Sequence, residues 1–275
     1  MSDAYHLNDR ILLLIHLPFG IDEIWLMKFY NNVYEQQLLT IIDKYSRNII
    51  MCLTGHRHQD TFRLYSSSTT VMGILGNPSI SPLDFLAEPS IRYYSYDRKS
   101  LVLYDYDQYI LNLIETERTQ IDRWILSYRF SSWFNQPLEL TSTNLAKLVQ
   151  QVRNDSFYLK KFLLTQHYRT NLTLTSLQII QTLCALTRFN FDEFHRCTNS
   201  FKNQHHNYPP MAMNYSLESN VLINEQQLID EHGTCRCMIV ICAVFLSIIC
   251  IGIWKSLRLD KNRQQPISIE KGLRP

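Results

Sequence analysis

The stretch LTGHRHQD, Leu53 to Asp60, decides how the rest of the chain is read. It sets His56 and His58 one residue apart, behind a glycine and ahead of an acid. NIIMCLT, which leads into it, is an apolar run of the length of a buried strand. Upstream, RILLLI (residues 10–15) has the same texture and runs into HLPFG, whose first residue is His16. Residues 22–47 between the two runs carry a helical pattern, with Leu26, Phe29, Val33 and Leu38 among its apolar positions. Two strands separated by a helix, each ending on histidine, present those side chains where a layered α/β sheet usually carries its functional groups. Alone, His16 reads as a strand-end residue bonded to backbone, and His56 and His58 as a solvated turn. Together they read as a site.

Beyond the turn come strand-like runs, TFRLYSS, TTVMGILG, SIRYYSYD and LVLYDYDQYIL, punctuated by turn residues such as GNPSISP. From about residue 120 the texture becomes helical: WILSYRFSSWF, LTSTNLAKLVQQVRND, SFYLKKFLLTQHY and LTSLQIIQTLCALT are amphipathic. Residues 199–235, rich in Asn, Gln and Ser, read as a stalk. A 275-residue chain that is 45% hydrophobic has ample material for a packed core. Its net charge of +2 comes from scattered basic residues, which argues against a nucleic-acid duplex as partner.

From Cys237 to Trp254 the sequence CMIVICAVFLSIICIGIW carries no charge, the minimum length expected of a membrane-spanning helix. Lys255, Arg258, Lys261 and Arg263 follow it, whereas Arg236 before it is balanced by Asp230 and Glu231, so the tail is expected in the cytoplasm. The main domain is then extracellular or lumenal on a single-pass membrane protein. The sequons at Asn154, Asn171 and Asn214 suit that compartment as glycosylation sites. The opening MSDAYHLNDRILLLIHLPFG has no basic n-region and only a short apolar run, so the reading expects the native N-terminus to lie further upstream.

The ordered series HxPxG, GHxHxDxFR, PSIRxYxYD, LxLxDYxQYxLNL and Trp-x3-Tyr, followed by a helical segment with paired cysteines, resembles the C-terminal half of the acid sphingomyelinase and acid sphingomyelinase-like phosphodiesterase family. The resemblance runs from about Ile11 to Thr198. It implies an α/β fold: the C-terminal half of a layered metallophosphoesterase β-sandwich flanked by helices (residues 1–115), then an α-helical subdomain (116–198). The stalk (199–235), one transmembrane helix (236–254) and a cytoplasmic tail (255–275) complete the expected organisation.

For function, the resemblance implies a two-zinc hydrolase of phosphodiesters, with sphingomyelin the leading substrate. His16 and His56 match the family's ligands to one zinc, and His58 matches a ligand to the other. Neutral imidazoles suit zinc and leave net positive charge on a metal pair. Asp60 is a candidate acceptor that orients a ligand histidine, the alternative being an exposed surface acid. Gly55 is expected to give the tight turn beneath the metals. Cys184 and Cys197 match a family disulfide, worth about 3 kcal/mol by loop entropy.

The family's DxH motif, bridging aspartate and proton-donating histidine have no counterpart upstream of His16, so no catalytic residue is assigned. Three readings stand at this point: an incomplete copy of the hydrolase, a catalytically inactive membrane-tethered remnant that serves as a binding module, and a site completed by a partner chain.

Overall fold

The computed structural model describes residues 10–81, 88–98, 100, 102–166, 172–203 and 208–213. Strand β1 (Ile11–Ile15) pairs in parallel with β4 (Ile49–Thr54), and β4 pairs in parallel with β6 (Val71–Gly76). Strand β5 (Thr61–Ser66) joins antiparallel to β6, giving the order β1-β4-β6-β5. Because β1, β4 and β6 run the same way, His16, His56 and Asn77 all follow strands at one rim of the sheet.

Alternation along β4 divides two cores. Met51 and Leu53 join one cluster with Phe62, Leu75, Phe162 and Leu183, while Cys52 joins the other with Leu13, Ile74 and Ile42. Helix α1 (Asn32–Lys44) covers the second face through Leu39 and Ile42, and the Asn31 side chain caps its start by accepting from the Val33 amide. The first face meets an antiparallel sheet of β7 (Ser90–Tyr96), β8 (Leu103–Leu111) and β9 (Trp124–Arg129), together with the helical region.

Two short helices, α2 (Leu113–Thr119) and α3 (Phe130–Phe134), flank β9. Helix α4 (Ser142–Asn154) buries Leu145, Leu148, Val149 and Val152, the spacing of one helical stripe. Each such aliphatic contributes about 1.5–3 kcal/mol when fully buried. A side chain at Gly73 would strike Met51 and Leu145, so the bare backbone there lets α4 lie close on β6. Helices α5 (Ser156–Gln166), α6 (Ser176–Ala185) and α7 (Phe191–Asn203) complete the layer, with Cys184 bonded to Cys197 between α6 and α7.

Three readings of the sequence need correction. Residues 22–47 are not one helix: β2 (Ile21–Asp22) and β3 (Met27–Lys28) form a small hairpin, and α1 begins only at Asn32. The helical texture of WILSYRFSSWF conceals strand β9, because Trp124–Arg129 fill the free edge of β8 and only Phe130–Phe134 coil. The folded body also continues past residue 199. Helix α7 reaches Asn203, the Tyr208 hydroxyl donates to the Arg153 carbonyl at 3.1 Å, and β11 (Met211–Met213) pairs with β10 (Leu172–Leu174). Among the described residues no helix is long and apolar enough to cross a membrane. The apolar run at 237–254, the tail, Asn171 and Asn214 lie outside the described residues, and Asn154 is exposed at the end of α4.

Candidate metal centre

His16 leaves the sheet one residue after β1, and Gly55 continues β4 beside it, its amide donating to the His16 carbonyl at 3.0 Å. The next three residues turn sharply. The Arg57 amide donates back to the Gly55 carbonyl at 2.8 Å, and both His56 (φ 67°) and His58 (φ 54°) take left-handed backbone. Gly55 itself has no positive φ, and a side chain there would meet His16 only at ordinary contact distance. The expected glycine hinge is therefore absent, and the histidines carry the strain, at about 1–2 kcal/mol each. Strained non-glycine residues of this kind concentrate at functional sites.

The turn brings two of the three histidines together. Nε2 of His16 lies 3.3 Å from Nδ1 of His56, with the rings edge to face at 81°. Phe29 packs against the His56 ring, centroids 5.8 Å apart. Partial desolvation holds the His56 pKa below the usual imidazole value, with His16 and Arg57 pushing the same way and Asp22 opposing. Such an imidazole favours its neutral form, with a lone pair to donate.

His58 is held differently. Its Nδ1 is bonded to the Ser81 carbonyl; a carbonyl only accepts, so Nδ1 donates and Nε2 is the ring nitrogen left to meet a metal. Among the described residues no group of three or more His, Cys, Asp and Glu side chains is arranged to hold a metal. The donor set nevertheless fits zinc in one respect. Two nitrogens at about 2.0–2.1 Å from a tetrahedral ion are themselves about 3.3–3.4 Å apart. The His16 to His56 separation has that value.

Asp60 is fully buried rather than an exposed acid. Its carboxylate takes an ion pair from Arg92 at 2.6 Å and the Tyr128 hydroxyl. Burial disfavours the charge on Arg92, but Asp60 and the surrounding tyrosines outweigh it and keep the guanidinium firmly protonated. Arg92 also stacks on Tyr106 at 3.9 Å, bonds Gln108 at 2.8 Å and reaches the Gly76 carbonyl at 3.3 Å. The Tyr94 hydroxyl donates to Asn77 at 2.6 Å, whose amide in turn donates to the Thr54 carbonyl at 3.0 Å. This network fastens the rim of one sheet to the other, and Asp60 joins it from the end of the histidine turn.

On the opposite side Arg57 pairs with Asp22 at 2.8 Å, and Arg63 binds the Phe19 and Ile21 carbonyls at 3.2 and 2.7 Å. Sequence reasoning missed Asp22, Arg57, Arg92 and Tyr128. The available signal was an arginine inside an otherwise strand-like run, SIRYYSYD, where a buried charge requires a buried partner.

No family model matches the chain. It is 23% identical over 209 residues to acid sphingomyelinase-like phosphodiesterase 3b of Mus musculus, which covers 72% of this chain and 46% of that protein. It is 28% identical over 151 residues to sphingomyelinase phosphodiesterase C of Dictyostelium discoideum, covering 49% of this chain and 33% of the relative. It is 27% identical over 139 residues to cyclic GMP-AMP phosphodiesterase SMPDL3A of Homo sapiens, covering 46% and 30%. The chain thus spans about half the length, or less, of these relatives. With the ordered motifs placed along a mixed α/β body, these similarities make the chain a distant homologue of the acid sphingomyelinase-like phosphodiesterases.

Proposed function

We propose that this chain supplies part of the metal-binding rim of a zinc-dependent phosphodiesterase of the sphingomyelinase type. The observation that supports the reading is the 3.3 Å separation of His16 Nε2 and His56 Nδ1, a length that two nitrogens on one tetrahedral zinc would also have. In this reading His16 and His56 hold one ion, and His58 offers Nε2 to a second. A bound zinc pair would activate water and neutralise the charge of a phosphodiester. The chain's own residues prepare that site: Phe29 packs against one side of His56, the Ser81 carbonyl accepts from His58 Nδ1, and Asp22 pairs with the Arg57 guanidinium.

The three histidines do not fill two zinc spheres, so the proposed centre needs further ligands beyond them. Sphingomyelin is the leading substrate, since relatives carry sphingomyelinase names, and a cyclic dinucleotide is the competing one. We place the body outside the cytosol, tethered to the membrane through residues 237–254.

Metal analysis of the purified full chain tests the reading. Zinc at one or more equivalents per chain, reduced in His16→Ala and His56→Ala, is the expected result. Chain that binds no zinc, even with zinc supplied, would refute the metal centre and leave a binding module. Turnover of sphingomyelin against a cyclic dinucleotide then separates the substrates.

A further inference from the structure

We infer that the hairpin β2–β3 is a membrane-contacting element that rests the candidate site on a phospholipid bilayer surface. Its tip places four large apolar side chains in a row in solvent: Ile24 is 53% exposed, Trp25 70%, Leu26 41% and Met27 57%. Just downstream, Val33 and Tyr34 at the start of α1 are also exposed. Single exposed apolar residues are ordinary, but a run of four in one hairpin turn is not.

The hairpin holds these side chains outward by design of its base. The Asp22 carboxylate accepts from the Ile24 and Trp25 amides at 2.9 and 3.0 Å, and the Leu26 amide donates to the Asp22 carbonyl at 2.8 Å. Leu26 takes φ 52°, a left-handed conformation that a leucine adopts only when its surroundings enforce it. The charged residues on either side turn inward: Glu23 pairs with Arg63 at 2.7 Å, and Lys28 pairs with the buried Glu35. What projects is therefore an uncharged aromatic and aliphatic tip, the composition that enters the boundary between headgroups and acyl chains.

Two observations select a bilayer over other occupants. The apolar run that we propose to span the membrane begins at Cys237, at most about 85 Å of extended chain from Met213, and a membrane span there would keep the body beside lipid. The hairpin is also continuous with the candidate site. Asp22, which shapes the tip, is the partner of Arg57 between the two left-handed histidines, and Phe29, directly after β3, packs on His56. A tip seated in lipid would hold that rim at the headgroup level. The inference shares the membrane tether with the proposed function but does not depend on hydrolysis.

The test reconstitutes the full chain in vesicles of phosphatidylcholine and sphingomyelin and compares wild type with Trp25→Phe by tryptophan fluorescence. The difference between the two isolates Trp25 from Trp124, Trp133 and Trp254. We expect a blue-shifted Trp25 component that brominated phosphatidylcholine quenches, and we expect Ile24→Ser with Met27→Ser to abolish that quenching. A Trp25 component that is red-shifted and quenched by aqueous iodide would overturn the inference. So would one that is blue-shifted only with rising protein concentration and insensitive to brominated lipid, which assigns the patch to a second copy of the chain. Quenching of the component that remains in Trp25→Phe reports the Trp254 segment separately, so loss of the tether and loss of the hairpin contact are told apart.

Discussion

Asp22 and Arg57 face each other across 2.8 Å, joining the base of an apolar hairpin to the residue between two left-handed histidines. Asp22→Asn keeps an oxygen for the Ile24 and Trp25 amides while removing the charge that holds Arg57. Outer partners of ligand residues typically matter 10–100-fold for metal affinity. Asp22 acts on the candidate ligands only through Arg57, so we expect the zinc affinity of the proposed site, measured by competition with a chromophoric chelator, to fall about 10-fold in Asp22→Asn, at the low end of that range. Unchanged affinity would show that Arg57 is held for stability alone.

The Asp60–Arg92 pair predicts a different response. Both side chains are almost wholly buried, and removing one strands a charge among Tyr94, Tyr106 and Tyr128. Arg92→Leu should lose about 3–5 kcal/mol of unfolding free energy. Denaturant titration measures this. The double variant Arg92→Leu with Asp60→Leu should recover part of the loss, because the uncompensated carboxylate is gone. Additive losses would mean that the pair does not interact energetically.

Much of the frame was legible because its signals are local. The apolar runs at β1 and β4, the histidines that end them, and the stripe Leu145, Leu148, Val149 and Val152 of α4 each follow from spacing within a few residues. The hairpin was not legible, since Ile24, Trp25, Leu26 and Met27 resemble a helix's apolar content. Apolar content predicts burial, and here the side chains point to solvent while buried ion pairs hold the turn. Strand β9 was missed for a related reason: its identity is set by the open edge of β8, which lies outside its own sequence window. In the site, the histidine pair followed from motif order, but the shift of the turn's strain from Gly55 to His56 and His58 required backbone angles.

Gly20, the last residue of HLPFG, has φ 90°, and its amide donates to Glu35 at 2.7 Å. A side chain there would also crowd Phe189 at 3.2 Å. Gly20→Ala should cost about 1–3 kcal/mol through backbone strain. Thermal unfolding would reveal it as a lowered midpoint. A midpoint equal to wild type would mean the loop relaxes freely, contrary to the anchoring by Glu35 and Arg63.

The Cys184–Cys197 bridge extends this anchoring to the helical layer. Its two sulfurs belong to a small core with Ile180, Ala185 and Phe194, and that core also buries Ile21, the residue before Asp22. The bridge closes a 13-residue separation, for which loop entropy gives about 3 kcal/mol. Cys184→Ser with Cys197→Ser should therefore lower global stability by about 3 kcal/mol. A second consequence is local. With α6 and α7 freer to part, the floor beneath Ile21 loosens, and the amides of Gly20 and Phe29, bonded to Glu35 and to the Gly20 carbonyl, should exchange with deuterium faster than those of β4. Faster exchange spread evenly over β4 and the hairpin would mean the bridge acts only on the unfolded chain. Selective exchange at Gly20 and Phe29 would tie a disulfide on the helical side to the loop that carries both the apolar tip and the Asp22 hold on the histidine turn.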